Sequence, residues 1–163
     1  MGQRFPIETN GEINTMLGRV INNPGTYDRS LIHAIMAQEI MKYLINEETI
    51  NDKMPQAIKT TEELVTMLEE RINYCGTNET NRKNAIRALK FIEDLAASAT
   101  TNNFDVANAP LVITTTEESL LKEINSPANY LPKRIAMILE LTWSRYLSNM
   151  ADTSYSKDNN PKK

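Results

Sequence analysis

Apolar residues recur along most of the chain at the three- and four-residue spacing of an α-helix, the signature of amphipathic helices rather than strands. After residues 1–9, read as an extended arm, Ile13, Met16, Leu17, Val20 and Ile21 mark a short first helix that the turn Asn22-Asn23-Pro24-Gly25 ends. Thr26 or Asp28 can cap a second helix reaching about Asn46. Its apolar positions, Ile32, Met36, Ile40 and Leu44 among them, cover more than half the circumference, and Gln38, Glu39 and Lys42 mark the outer side. A helix that apolar is expected at the centre of a fold.

Thr60-Thr61-Glu62-Glu63 has the capping-box pattern, in which a Thr hydroxyl and a Glu carboxylate satisfy each other's orphan backbone N–H groups. It opens a third helix with Leu64, Val65, Leu68 and Ile72 inward, and Gly76 suits a left-handed residue ending it. Thr77 or Asn78 starts a fourth helix to about Ser98, with Ala85, Ala88, Ala96 and Ala99 alternating with Leu89, Ile92 and Leu95 inside. The short connection makes helices three and four an antiparallel hairpin.

From Thr100 to Thr114 the pattern lapses, except for Leu111-Val112-Ile113, a short strand or a packed anchor. Thr114 or Thr115 caps a brief fifth helix to about Asn125, and Ser126-Pro127 or Pro132 opens a last one ending near Met150. Residues 151–163 lack apolar periodicity and read as a flexible tail. Thr60-Thr61-Glu62-Glu63-Leu64 and Thr115-Thr116-Glu117-Glu118-Ser119 look alike, but they read as two capping signals and not as a repeat of 20–50 residues. The expectation is an all-α chain: a single compact bundle of five or six helices over residues 10–150, with the second and last helices central.

Composition narrows the function more than the fold. At 163 residues the chain suits one domain with a sizeable core. The net charge of −3 argues against binding nucleic acid over the whole surface, because such binding needs an excess of Lys and Arg. A single Cys excludes a disulfide framework, and neither a signal-like leader nor an apolar stretch long enough for a bilayer is present. Gly2 is no myristoylation signal, since Pro6 stands where Ser or Thr is needed. A cytoplasmic address without membrane contact follows. Eighteen Asn, many of them in the connections, suit an AT-rich coding source such as a phage, a virus or a low-GC bacterium.

Candidate chemistry is sparse. His33 lies in the apolar sector of the second helix, where a core histidine is expected. Arg29 and His33 stand in the order of the Arg and His pair of HEPN-type helical ribonucleases, but the spacing of that pair is not kept. Glu-x-x-His and Glu-x-x-Glu, the spacings that put two metal ligands on one helix face, are both missing. Glu62, Glu63, Glu69 and Glu70 read as a solvated acidic face. Cys75, near the negative end of a helix, reads as a small packing residue. No catalytic group, metal or cofactor is expected, and the chain is read as a non-enzyme.

Two surfaces remain. On the fourth helix Lys83, Arg87 and Lys90 form a basic stripe with Arg82 nearby, diluted by Glu79 and Asp94. On the last helix Ile135, Ile138, Leu139, Thr142 and Tyr146 share one face, Trp143 widens it, and Met137 with Leu141 emerges opposite. Two apolar faces imply two contacts, so Met137, Leu141 and Trp143 are the expected protein interface. The function expected is a non-catalytic interaction or assembly subunit, self-associating or bound to a protein partner. The alternative is a small nucleic-acid-binding subunit that uses Lys83, Arg87 and Lys90. The turn through Cys75-Gly76 also has a helix-turn-helix outline, with Arg82 where that motif wants a small or apolar residue.

Overall fold

The computed structural model describes residues 7–44, 59–101 and 115–159, and of the side chains those up to Ser98 and Asn149 in the last two segments. Among these residues there are six helices and no strand: α1 (Asn10–Asn22), α2 (Asp28–Met41), α3 (Thr61–Asn73), α4 (Glu79–Thr101), α5 (Glu117–Ile124) and α6 (Leu131–Asn159). The all-α bundle and the α3/α4 hairpin are therefore present. Most of the segment 47–59, together with Leu111-Val112-Ile113 and the first six residues of the arm, lies outside the described residues.

Local chemistry starts the helices. Thr9 and Thr60 each accept a hydrogen bond from the backbone N–H three residues on, while Glu12 and Glu63 accept from the backbone N–H of those threonines, so both are complete capping boxes. Thr116, one residue later than expected, caps α5 by accepting from the Ser119 N–H. The last helix continues to Asn159, past the expected end at Met150, because no Gly or Pro interrupts the chain before Pro161. The cap after α3 also differs from expectation. Tyr74, in extended conformation, is the C-cap, and the φ of Gly76 is outside the left-handed region. The Tyr74 ring lies over Gly76, so a Cβ there would require that exposed ring to swing away.

The six helices form three successive hairpins, α1/α2, α3/α4 and α5/α6. Between the first two, thirteen of the thirty-six positions from Thr9 to Leu44 match the residue 51 places further on, including Thr9/Thr60, Glu12/Glu63, Leu17/Leu68, Asn22/Asn73, Gly25/Gly76 and Ala34/Ala85. The third follows at an offset of 103 from the first, with Leu17/Leu120, Ile21/Ile124, Pro24/Pro127, Tyr27/Tyr130, Ile35/Ile138 and Tyr43/Tyr146. The matches keep their roles: Leu17, Leu68 and Leu120 are all buried, as are Ala34 and Ala85. The described residues thus form three copies of one helical hairpin, contrary to the expectation drawn from two capping signals. The repeat period lies just beyond 50 residues, and α5 is shortened at its start, which puts the capping threonines out of register.

The second helix of the first hairpin, α2, takes the centre. Asn14 bonds Gln38 across α1 and α2, and Asp28 meets Arg71 at one end of α2 while Glu39 meets Thr61 near the other, so α1 and α3 both run antiparallel to α2. Phe91 against Trp143 and Ser98 against Tyr146 set α4 and α6 parallel. As expected, α2 is central, packed against α1, α3, α4 and α6. Its expected outer side is covered too: Gln38 and Glu39 are each only 2% exposed. Gln38 donates to Asn14 Oδ1 at 3.3 Å, and Glu39 accepts from Lys42 Nζ at 2.6 Å and from the Thr61 hydroxyl. Pairing lets the Glu39 carboxylate be buried at tolerable cost, whereas Gln38 is satisfied only through its amide nitrogen and its Oε1 is buried without a partner among the described residues. On α4, Ala85, Ala88, Ile92 and Leu95 face the core as expected, whereas Ala96 is exposed.

Candidate docking groove

The expected interface on the last helix does not survive folding. Leu141 is fully buried and Trp143 is 1% exposed, while Met137 packs at the margin of the core. The two apolar faces of α6 are both used internally: α2 and α5 pack along it, and Trp143 meets Phe91 edge-on at 5.4 Å and stacks on Tyr146. These side chains are covered by their own chain, so Leu141 and Trp143 are core residues.

The basic stripe is at the surface. Lys83, Arg87 and Lys90 are exposed with Ile86 among them, and Lys90 Nζ lies 3.9 Å from Asp94 Oδ1. Arg82 does not belong to it. Its Nε donates to the Ile72 carbonyl at 2.9 Å and its Nη2 to the carbonyls of Tyr74 and Thr77, which closes the end of α3. That capping role explains an arginine where a helix-turn-helix wants a small residue. Cys75 is exposed in the same turn rather than packed.

His33 is partly buried, with Nδ1 shielded from solvent and without a hydrogen-bond partner. Burial, assisted by the Arg29 charge, lowers its pKa to about 4, so the ring is neutral at pH 7. Among the described residues no group of three or more His, Cys, Asp or Glu side chains is placed to hold a metal ion.

An open groove lies elsewhere, where α6 passes α1. Its volume is about 580 Å³, and Ile7, Met16, Val20 and Leu131 supply an apolar lining, with Thr15, Asn23, Thr26, Glu12, Arg19 and Arg134 around it. Leu131 is 40% exposed and the neighbouring Tyr130 69%. Several local features hold this shape. Arg134 Nε donates to the Ile124 carbonyl at 2.7 Å, ten residues back, as Arg82 does to Ile72. Asn125 brackets Ile7, accepting from its N–H and donating to its carbonyl. At the far end of the seam Arg145 donates to Asn10 Oδ1 and the Glu8 carbonyl and pairs with Glu117 at 3.1 Å.

The repeat explains why the groove is open. Lys42 of α2 reaches Thr61 at the start of α3, and Arg145 of α6, its equivalent 103 places on, reaches Asn10, the equivalent of Thr61. The α2/α3 and α6/α1 seams are therefore counterparts. The first is closed at its other end by Asp28 and Arg71, 3.0 Å apart, with Tyr74 three residues further along the chain as the C-cap of α3. In the second the same positions hold Leu131, Val20 and Asn23. At these positions an ion pair and a tyrosine give way to two aliphatic side chains and a small amide, and an apolar cleft stands open there. Neither Arg19, which is exposed, nor the terminal nitrogens of Arg134 have a partner among the described residues.

Sequence reasoning missed this site because its walls are over a hundred residues apart. The signal that could have found it is the replacement of Arg71 and Tyr74 by Val20 and Asn23 within the repeat. No protein-family model, curated protein or solved structure matches the chain.

Proposed function

We propose that the protein is a non-catalytic assembly subunit that associates with copies of itself through its helical surface. The observation that carries this reading is the groove between α1 and α6, an apolar cleft with exposed Leu131 and Tyr130 at its edge and two unengaged arginine groups. Its volume would also suit a small ligand, but exposed apolar residues beside an open cleft are the mark of a contact surface. No described helix is long and apolar enough to cross a membrane.

Light scattering on nuclease-treated protein across a concentration series tests the reading. A defined mass above that of one chain is expected, and a single-chain mass at every concentration would overturn it.

A second reading, nucleic-acid binding by α4, is favoured by the exposure of Lys83 and Arg87 without an acidic partner among the described residues. Three phosphate contacts on duplex DNA would give a slope of log K against log salt of about −3. Affinity indifferent to salt and to reversal of Lys83, Arg87 and Lys90 would remove this reading.

A further inference from the structure

We propose that the groove between α1 and α6 receives the acidic face of α3 from a second copy of this chain. The inference rests on the self-association reading and adds which surfaces meet.

Charge complementarity selects the occupant. The groove presents Arg19 and the free end of Arg134, while the Glu12 carboxylate already accepts from the Thr9 and Glu8 N–H groups. A guest carrying carboxylates and an apolar side chain matches that lining, since Arg groups favour carboxylates and the aliphatic walls favour a ring or an alkyl group. The chain carries such a surface itself. Glu62, Thr66, Glu69, Glu70 and Asn73 form one exposed stripe on α3, and the carboxylates of Glu62, Glu69 and Glu70 have no partner among the described residues. The stripe ends at Tyr74, 60% exposed, one turn beyond Glu70.

The α2/α3 seam shows how such a position is filled. There a carboxylate, Asp28, meets an arginine, Arg71, three residues before Tyr74 in the chain. The groove lacks the acid and the tyrosine of that arrangement, and the acidic face of a neighbouring α3 supplies both. Groove and acidic face are different surfaces, so the contact is heterologous, and one copy can bind through either.

The test uses full-length protein and light scattering at low and high salt. Asn23→Tyr puts into the groove the tyrosine that the second repeat carries at this position, and Glu69→Lys with Glu70→Lys reverses the acidic face; circular dichroism verifies that both fold. Arg19→Ala is the second groove variant, chosen because Arg134 also holds the end of α5. Each variant alone is expected to weaken self-association by about tenfold or more. Mixing Asn23→Tyr with the α3 variant is expected to restore a one-to-one dimer, because one chain keeps the acidic face and the other keeps the groove. Wild-type association is expected to fall at high salt.

A wild-type protein that stays monomeric overturns this inference together with the reading beneath it. A wild-type oligomer that both the groove and the α3 variants leave intact overturns the inference alone. So does dissociation caused only by reversing Lys83 and Arg87 on α4.

Discussion

His33 illustrates how one side chain's surroundings set its behaviour. An apolar neighbourhood is legible from its place between Ile32 and Ala34, but the lowered pKa depends on α2 being covered on several sides. The sign of the pH effect follows. The unfolded chain takes up a proton near pH 6.5 and the folded chain only near 4, so the stabilisation is complete above pH 6.5 and is lost as pH falls towards 4. Between pH 7 and pH 4.5 the loss should be roughly 2 to 3 kcal/mol. Urea denaturation at the two pH values measures it, and His33→Met should remove most of the difference. An unchanged difference in the variant would place the acid sensitivity elsewhere.

Helices and their joints were the most legible level. Caps are set by residues three apart, which is why the Thr60 box and the hairpin turns could be read with no knowledge of the fold, and the Thr9 box, read only as the end of an arm, carries the same three-residue signal. The joints depend on a longer reach. Arg82 and Arg134 each span ten residues to hold the last carbonyls of the preceding helix, and in the sequence Arg82 is simply another cation near the basic stripe. Arg82→Ala should therefore destabilise the protein by about 1 to 3 kcal/mol, because up to three carbonyls lose a charged donor. Lys83→Ala, one residue along and exposed, should be nearly neutral. Thermal melts of the two variants side by side test this, and equal effects would show that Arg82 acts only as a surface charge.

At the scale of the whole molecule the same repeat position acquires different fates. Ile35 of α2 is fully buried, whereas Ile86 of α4, its equivalent, is 50% exposed, because α2 sits among four helices and α4 lies at the side. Leu141, expected at an interface, is likewise a core residue because its own chain covers it. Leu141→Asp would bury an unpaired carboxylate and should unfold the chain or cost more than about 4 kcal/mol, and Trp143→Ala should cost about 3 to 5 kcal/mol. Denaturant titration distinguishes this from loss of association in a folded chain, the outcome expected if Leu141 were at the surface. Residue spacing alone determined where helices form and that they are amphipathic, because those properties depend on neighbours three or four places apart, whereas several caps, such as Tyr27 before α2, Tyr74 after α3 and Thr116 before α5, fell on other residues than the spacing suggested. It also contained the repeat. Only the tertiary structure decided which apolar face would be covered and where a seam would stay open, since burial depends on residues such as Val20 and Leu131 that are distant in the chain and meet only when the hairpins pack.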